Sequence, residues 1–146
     1  MRRPDRNSVY MIMAKTIALR GTCLRAKVGA ILVKDHRVIS VGYNGALPGE
    51  DHCTSDLCSS DSPCLNTIHA EANAIYYASR AGISTIGSTL YCTHSPCRKC
   101  TEAIIQSGVT QVYYLKEYRD TPFELYRECK IEKLDDTQIE VYKNLI

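Results

Sequence analysis

The chain has 146 residues and a mass of 16.4 kDa, which fits one domain over residues 1–146 with a single hydrophobic core. Hydrophobic residues make up 45% and charged residues 23%, a balance typical of soluble globular proteins, which excludes a disordered or collagen-like chain. The formal net charge of +2 is too small to indicate a nucleic-acid or membrane partner.

The first predicted elements are a helix and a β-hairpin. The helix runs over about 8–20, with Ser8 as the cap candidate and apolar residues recurring at the spacing of one helix face. A β-branched strand at 28–33 and its return at 37–42 form the hairpin, joined by a tight turn at Asp35-His36.

A long irregular stretch, residues 43–68, follows the hairpin. It contains several Gly and Pro residues and three cysteines, Cys53, Cys58 and Cys64. A structureless loop of this length is unusual inside a compact domain, and is normally functional or held together by a bound group. We interpret it as an insert that a metal ion ties down.

Helices and strands alternate through the rest of the chain. One helix opens at His69 and runs to about Arg80, and the next follows Pro96, which occupies a first-turn position. The remaining predicted elements are strands at 88–93, 109–115 and 130–134 and a helix at 122–128. This order predicts an α/β domain, a mixed sheet with helices on its faces.

Eight cysteines are present, and an even number in a short chain is compatible with disulfides or with metal binding. Disulfides need an oxidising compartment, but the basic start at 1–6 is not followed by the apolar region of a signal peptide. The most apolar run, 8–19, is shorter than the ~20 residues of a membrane span. We therefore expect a cytoplasmic protein, of a cell or of an infected host, whose clustered cysteines bind metal.

Two motifs, each at the start of a predicted helix, form the first candidate metal site. His69-Ala70-Glu71 begins one helix, and Pro96-Cys97-Arg98-Lys99-Cys100 begins the next. Cys97 and Cys100 are three residues apart, so their thiols share a helix face, and the helix N-terminus favours thiolates. One His and two Cys ligands leave the fourth position of a zinc ion for water, as in catalytic sites.

Glu71 lies in the same first turn as His69 and is not needed as a ligand. Its carboxylate can take a proton from zinc-bound water and pass it to a substrate. H-x-E with P-C-x-x-C is the signature of zinc deaminases. Alone, the first motif would be ordinary helix surface and the second a redox pair or half of a structural zinc site. Their occurrence at successive helix starts favours the deaminase interpretation.

On these motifs the chain resembles the cytidine and deoxycytidylate deaminase superfamily, and within it the deoxycytidylate deaminases. The resemblance spans about 8–134 and includes Val28-Gly29-Ala30, Gly42-Tyr43-Asn44-Gly45 and Gln106-Ser107-Gly108-Val109. Transfer-RNA adenosine deaminases usually have Gly-Trp-Asn at the second of these, and nucleoside deaminases usually have Cys in place of His69. The resemblance implies a three-layer αβα fold with a mixed five-stranded sheet and helices on both faces.

The resemblance also implies a reaction, the zinc-dependent hydrolysis of dCMP to dUMP and ammonia, which feeds thymidylate synthesis. It implies that Asn44 contacts the sugar and base, that Ser95 presents backbone groups to the pyrimidine, and that Tyr118 closes over the ring. Arg25, with Lys27, would meet the 5′-phosphate, for which Arg is well suited. Solvated loop charge for the two cations, and a core or interface position for Tyr118, remain alternatives.

Members of this family are homohexamers that dCTP activates and dTTP inhibits. The resemblance places Gly45 near the effector pocket, and a triphosphate effector would bring Mg²⁺. A dCTP or dual dCMP/dCTP deaminase, and a polynucleotide deaminase of the tRNA adenosine type, stay open. The low net charge and the absence of Trp weigh against the hypothesis of a polynucleotide deaminase. The presence of Glu71 weighs against a catalytically dead zinc module.

Four further cysteines lie near or within the insert: Cys23, Cys53, Cys58 and Cys64. Several deoxycytidylate deaminases carry a second zinc ion that ties down this insert, and Cys23 and Cys53 match its ligand positions. The other two would complete a closed structural site, giving about two zinc ions per chain. His52 is the spare ligand candidate. We interpret Cys92 and Cys129 as small buried hydrophobic residues.

Overall fold

The computed structural model describes residues 2–54 and 67–146. In these ranges the elements follow in the order α1 (Arg6–Ala18), β1 (Gly29–Lys34), β2 (Arg37–Tyr43), α2 (Ala70–Arg80), β3 (Thr89–His94), α3 (Arg98–Gln106), β4 (Gln111–Lys116), a 3₁₀ turn (Phe123–Leu125), β5 (Lys130–Lys133) and α4 (Asp136–Lys143). None of the helices in the described ranges is long and apolar enough to cross a membrane.

The sheet is mixed, and its strand order is β2-β1-β3-β4-β5. β1 pairs antiparallel with both β2 and β3, whereas β3, β4 and β5 are parallel. The mixed five-stranded sheet predicted from the sequence is therefore confirmed. Because β3 and β4 are parallel, the residues that follow both strands lie at one edge of the sheet.

Each face of the sheet is covered by two helices, which gives the predicted three layers. Side chains alternate along β3: Leu90 and Cys92 pack in the cluster beneath α2 and α3, and Tyr91 packs with Met11 of α1. α4 lies beside α1 and adds Ile139, which is 1% exposed, to that second cluster. The two apolar clusters bury both faces of the central strands.

The start of α1 differs from the prediction. Asp5 is the N-cap, and its carboxylate accepts hydrogen bonds from the Ser8 N–H at 2.9 Å and from the Ser8 hydroxyl at 2.9 Å. Ser8 is therefore the third helical residue, and its prediction as the cap is wrong. An Asp side chain reaches the N–H of the third helical residue directly, so it fixes the first turn two residues earlier.

The tight turn of the hairpin is confirmed. Asp35 and His36 have φ of 51° and 62°, the left-handed geometry that a two-residue hairpin turn needs. Asp is among the residues that tolerate this conformation.

The last third of the chain departs from the prediction in three places. Pro96 precedes the Cys97 N-cap instead of occupying the first turn of α3, because Cys97 itself is extended, with φ −70° and ψ 176°. The helix predicted at 122–128 is only a 3₁₀ turn. α4 was not predicted; Asp135 caps it through the Thr137 N–H at 3.0 Å.

An ion pair fastens α4 to α1 across this face of the fold. Lys15 Nζ lies 3.0 Å from Asp136 Oδ1 and also pairs with Glu140. Partial burial by itself lowers the pKa of Lys15, but the hydrogen bonds and charges of the two carboxylates together outweigh burial and raise the pKa. These contacts are distant in sequence, so local periodicity could not reveal them.

Gly42 sets how closely α2 approaches the sheet. A Cβ at this position would lie 2.2 Å from the Ala70 carbonyl oxygen and 2.7 Å from the Ala74 nitrogen. Both distances are shorter than van der Waals contact, so any side chain here would push away the first turn of α2.

Gly42→Ala should therefore lower the free energy of unfolding by about 1–3 kcal/mol, the usual effect of overpacking. Urea denaturation measures the change. Val41→Ala is the matched control, because the Val41 side chain is 41% exposed and contributes less to packing. Equal stability of Gly42→Ala and the wild type would contradict the close approach.

Candidate active site

Two helix starts, those of α2 and α3, lie side by side on one face of the sheet. Both helices connect parallel strands, since β2 and β3 each run antiparallel to β1 and β3 is parallel to β4. Right-handed crossovers then place both helices on the same face. The N-cap residues are His69 and Cys97, both extended, and neither side chain makes a capping hydrogen bond.

His69, Cys97 and Cys100 converge between these helix starts. The Nδ1 atom of His69 lies 3.5 Å from the Cys97 sulfur and 3.4 Å from the Cys100 sulfur, and all three ligand atoms are within 4.8 Å of one another. A tetrahedral zinc ion, with Zn–N of ~2.0–2.1 Å and Zn–S of ~2.3 Å, places such atoms about 3.5 Å apart. The three side chains therefore fit zinc in both chemistry and spacing.

The electrostatics of the two thiols also suit metal binding. Hydrogen bonding from the Cys100 thiol, opposed by burial and helped by His69, lowers the pKa of Cys97 to about 4. The same thiol contact, together with burial, raises the pKa of Cys100. One thiolate is thus available at neutral pH, which is the ligand form that zinc needs. Cys100 is buried and His69 is exposed, so the cluster opens to solvent on the histidine side.

Glu71 lies beside the three ligands, in the first turn of α2, and only 4% of it is exposed. Burial raises the pKa of its carboxyl, and the negative charge of Cys97 adds to the effect. A buried carboxyl beside the metal ligands is placed to accept a proton and to release it again during a reaction. The structure therefore brings the four predicted residues of the first motif pair together.

Asn44 follows β2 and holds the loop that connects α1 to β1. Its Oδ1 accepts a hydrogen bond from the Val28 N–H at 2.8 Å, and its Nδ2 donates to the Ala26 carbonyl at 2.6 Å. The Thr22 N–H donates to the Asn44 carbonyl at 3.0 Å. The sequence motif indicated a substrate contact for Asn44 but not this clamp, whose partners lie at least sixteen residues away. The substrate contact stays a prediction.

Ser95, which is 3% exposed, links the start of α3 to the loop after β4. Its N–H donates to the Lys116 carbonyl at 2.9 Å, and its Oγ accepts from the Tyr118 N–H at 2.6 Å. Because the Ser95 N–H is already used in this way, the Ser95 carbonyl is the backbone group left for the predicted contact with a pyrimidine. Thr121 Oγ1 lies 2.7 Å from the Ser95 Oγ. Sequence reasoning missed Thr121, because no motif marks a threonine after a strand.

Tyr118 lies at this same edge, and its side chain is 41% exposed. Desolvation, the carboxylate of Asp120 and the charge of Cys97 together raise the pKa of its hydroxyl. The hydrogen bond from the Tyr118 N–H to Ser95 holds residue 118 beside the turn that carries Cys97. An exposed aromatic ring beside an open metal centre is able to cover a planar ligand.

The predicted cation and effector residues occupy the loops around this edge. Arg25 and Lys27 are exposed on the loop that Asn44 holds. Gly45 is buried and forms an antiparallel bridge with Ile68, through hydrogen bonds of 3.2 Å and 2.8 Å. The bridge holds Ile68, the residue before His69, against the residues that follow β2. The phosphate and effector roles stay predictions.

The second predicted metal site falls only partly within the described ranges. Cys23 and Cys53 are buried, at 8% and 5% exposure, while Cys58 and Cys64 lie outside those ranges. The Arg25 N–H lies 3.4 Å from the Cys23 sulfur. His52 is exposed. The interpretation of Cys92 and Cys129 as buried is confirmed.

Comparison with known proteins gives consistent matches. Residues 4–116 match the family model described as the cytidine and deoxycytidylate deaminase zinc-binding region. The chain is 42% identical over 134 residues to ComE operon protein 2 of Bacillus subtilis, covering 90% of this chain and 71% of that protein. It is 41% identical over 130 residues to the deoxycytidylate deaminase of Mycobacterium phage D29, covering 80% of this chain and 99% of that protein.

Solved structures show the same fold. The dCMP deaminase from the cyanophage S-TIM5, in complex with dCMP and dUMP, superimposes with a TM-score of 0.79 at 35% identity, covering 92% of this chain and 100% of that one. Its apo form gives a TM-score of 0.77 at 33% identity, over 91% and 100% of the two chains. The deaminase fold expected from the motifs is therefore confirmed, and the chain belongs to the cytidine and deoxycytidylate deaminase family.

Proposed function

We propose that this chain is a zinc-dependent dCMP deaminase, which hydrolyses dCMP to dUMP and ammonia. The observation that carries the proposal is the convergence of His69, Cys97 and Cys100 at zinc-ligand spacing, with the buried Glu71 beside them. The named activity of the phage D29 relative, and the dCMP and dUMP bound to the S-TIM5 enzyme, support this substrate.

A zinc ion held by the three side chains would supply Lewis-acid chemistry, lowering the pKa of a water molecule so that it can attack at neutral pH. Glu71 takes the proton that the attacking water loses and delivers it to N3 of the cytosine ring. The oxygen of that water bonds to C4, and its remaining proton passes through the same carboxyl to the amino group at C4. The C4–N bond then breaks, so that ammonia leaves as the C4 carbonyl forms. One water is consumed and the ring becomes uracil, so the atoms balance.

The surrounding loops would orient the nucleotide. Tyr118 covers the pyrimidine, the Ser95 carbonyl accepts from the amino group at C4, and Asn44 contacts the sugar and base. Arg25, with Lys27, meets the 5′-phosphate from the loop that the Asn44 amide holds. These roles follow the family pattern, residue by residue, and the positions of the loops around the metal edge support them.

Wider features of the family extend the proposal. We infer a homohexamer of single-domain chains, each with its 43–68 insert tied by a second zinc ion at Cys23, Cys53, Cys58 and Cys64. Control by dCTP and dTTP near Gly45, with Mg²⁺ on the triphosphate, and a cytoplasmic role in thymidylate supply belong to the same inference. The burial of Cys23 and Cys53 supports the second metal site.

The decisive assay is ammonia release from a panel of dCMP, dCTP, CMP, deoxycytidine and adenosine-containing RNA. Preference for dCMP supports the proposal. Preference for dCTP identifies the triphosphate alternative, and activity only on RNA identifies a polynucleotide deaminase.

Metal analysis should find about two zinc ions per purified chain, one for each ligand set. Cys100→Ser should remove about one of them together with activity, and Cys23→Ser should remove about one as well. Cys129→Ser is the matched control, since Cys129 belongs to neither set. A reproducible content of one zinc ion that Cys58→Ser does not change would contradict the second site.

Glu71→Gln should lower kcat by roughly 10²–10⁴-fold, the usual loss when a general acid or base is removed. Zinc content should be unchanged, because Glu71 is not a ligand. Glu102→Gln, an exposed residue of α3 that pairs with Arg98, is the matched control and should keep full activity. Near-normal turnover of Glu71→Gln would exclude the proton-transfer role.

Arg25→Ala should raise the KM for dCMP far more than the KM for deoxycytidine, because only dCMP carries the phosphate that the guanidinium would pair with. Steady-state kinetics on both substrates measure the change in preference. Arg37→Ala, an exposed cation at the turn of the hairpin, is the control. Equal loss on both substrates would show that Arg25 is not the phosphate anchor.

A further inference from the structure

The loop after β4 is fastened to the metal-binding turn through one serine hydroxyl. Ser95 Oγ, two residues before the ligand Cys97, accepts the Tyr118 N–H at 2.6 Å. The same oxygen lies 2.7 Å from Thr121 Oγ1. Ser95 and Thr121 are 3% and 8% exposed, so water has little access to either hydroxyl. The buried Ser95 hydroxyl therefore joins the two segments through both Tyr118 and Thr121, in addition to the hydrogen bond from the Ser95 N–H to the Lys116 carbonyl.

Thr121 supports this contact with two hydrogen bonds, one from its side chain and one from its backbone N–H. A serine hydroxyl offers one donor and two acceptor sites, and the Tyr118 N–H uses one acceptor site. The Thr121 hydroxyl satisfies the Ser95 hydroxyl further, while the Thr121 N–H donates to the Tyr118 carbonyl at 3.1 Å. Thr121 thus holds the carbonyl of Tyr118 directly and its N–H through Ser95.

The position of the Tyr118 ring depends on this backbone. With 41% of the residue exposed, the ring has limited packing of its own to define where it lies. Both backbone polar groups of Tyr118 are fixed by the Ser95–Thr121 pair, and Ser95 lies two residues before the metal ligand Cys97. Movement of the loop would therefore carry the ring away from the metal ligands.

We propose that Thr121 is a positioning residue for the deamination, holding the Tyr118 ring over the pyrimidine through its hydrogen bonds to Ser95 and to the Tyr118 carbonyl. The inference rests on the proposed function. Thr121 acts on substrate binding through Tyr118, touches neither the reacting atoms nor the metal ligands, and is dispensable for zinc binding.

The first test compares Thr121→Val, which removes the hydroxyl at nearly constant shape, with Thr121→Ser, which keeps it. Thr121→Val should raise the KM for dCMP by roughly 5- to 10-fold, the equivalent of one net hydrogen bond. Its kcat at saturation and its zinc content should stay within about two-fold of the wild type, since Thr121 acts on binding alone. Thr121→Ser should restore the wild-type KM. Thr121→Ala serves as a second variant if Val does not fold.

Thr85→Val is the matched control. The Thr85 hydroxyl donates to the Ser107 carbonyl at 2.7 Å, beyond the C-terminal ends of α2 and α3 and away from the metal edge. This variant loses a comparable hydrogen bond and should leave the KM for dCMP unchanged. A KM increase of equal size in both variants would show a general loss of stability and overturn the proposal.

Two further measurements separate this inference from the proposed function. Hydrogen exchange of the Tyr118 amide should become faster in Thr121→Val but not in Thr121→Ser or Thr85→Val. This result does not depend on which nucleotide the enzyme deaminates. In a Tyr118→Ala background, Thr121→Val should add no further increase in KM, because the ring it positions is absent. A multiplicative increase, or unchanged amide exchange, would overturn the positioning role. Failure of the wild type to release ammonia from dCMP would instead overturn the proposed function.

Discussion

The active edge of this fold depends on the close parallel approach of two helix starts. α2 and α3 both cross over between parallel strands on one face of the sheet, so their first turns meet where β3 and β4 end. Gly42 allows α2 to approach the strand, and any Cβ there would strike the Ala70 carbonyl. The metal-ligand spacing of His69 and the two cysteines follows from this approach, because each ligand lies within the first turn or at the cap of its helix.

The same edge gathers the groups that would handle the nucleotide. Asn44 fixes the loop that carries Arg25 by hydrogen bonds to its backbone, and Ser95 fixes the loop that carries Tyr118 in the same manner. In both cases a buried polar side chain bonds to the main chain of a neighbouring loop and leaves that loop's own side chains exposed. Rigid support beneath accessible side chains reduces the conformational entropy lost when a ligand binds.

The site was predictable from the sequence where its geometry is local. Cys97 and Cys100 share a helix face through their spacing, and His69 and Glu71 share one turn, so two short motifs were enough to assemble four residues. The hairpin turn was predictable for the same reason, since Asp35 and His36 adopt a left-handed geometry set by loop length. The prediction was weaker at helix boundaries, since the cap of α1 is Asp5, three residues before the predicted Ser8. It missed features that long-range contacts create, such as α4 and its ion pair with Lys15.

Thr121 shows why part of the site escapes sequence reasoning altogether. Its hydroxyl gains significance only because β3 and β4 are parallel neighbours, which sets the loop after β4 against Ser95 after β3. No periodicity or spacing connects residues 95 and 121, and a threonine in a loop is chemically ordinary. Burial makes the hydrogen bond of this hydroxyl important for stability. A buried hydroxyl left without a partner costs about 1–3 kcal/mol of free energy, whereas an exposed one costs little. The catalytic ligands are thus specified by local sequence, while the loops that would adjust substrate affinity are specified by the pairing of distant strands.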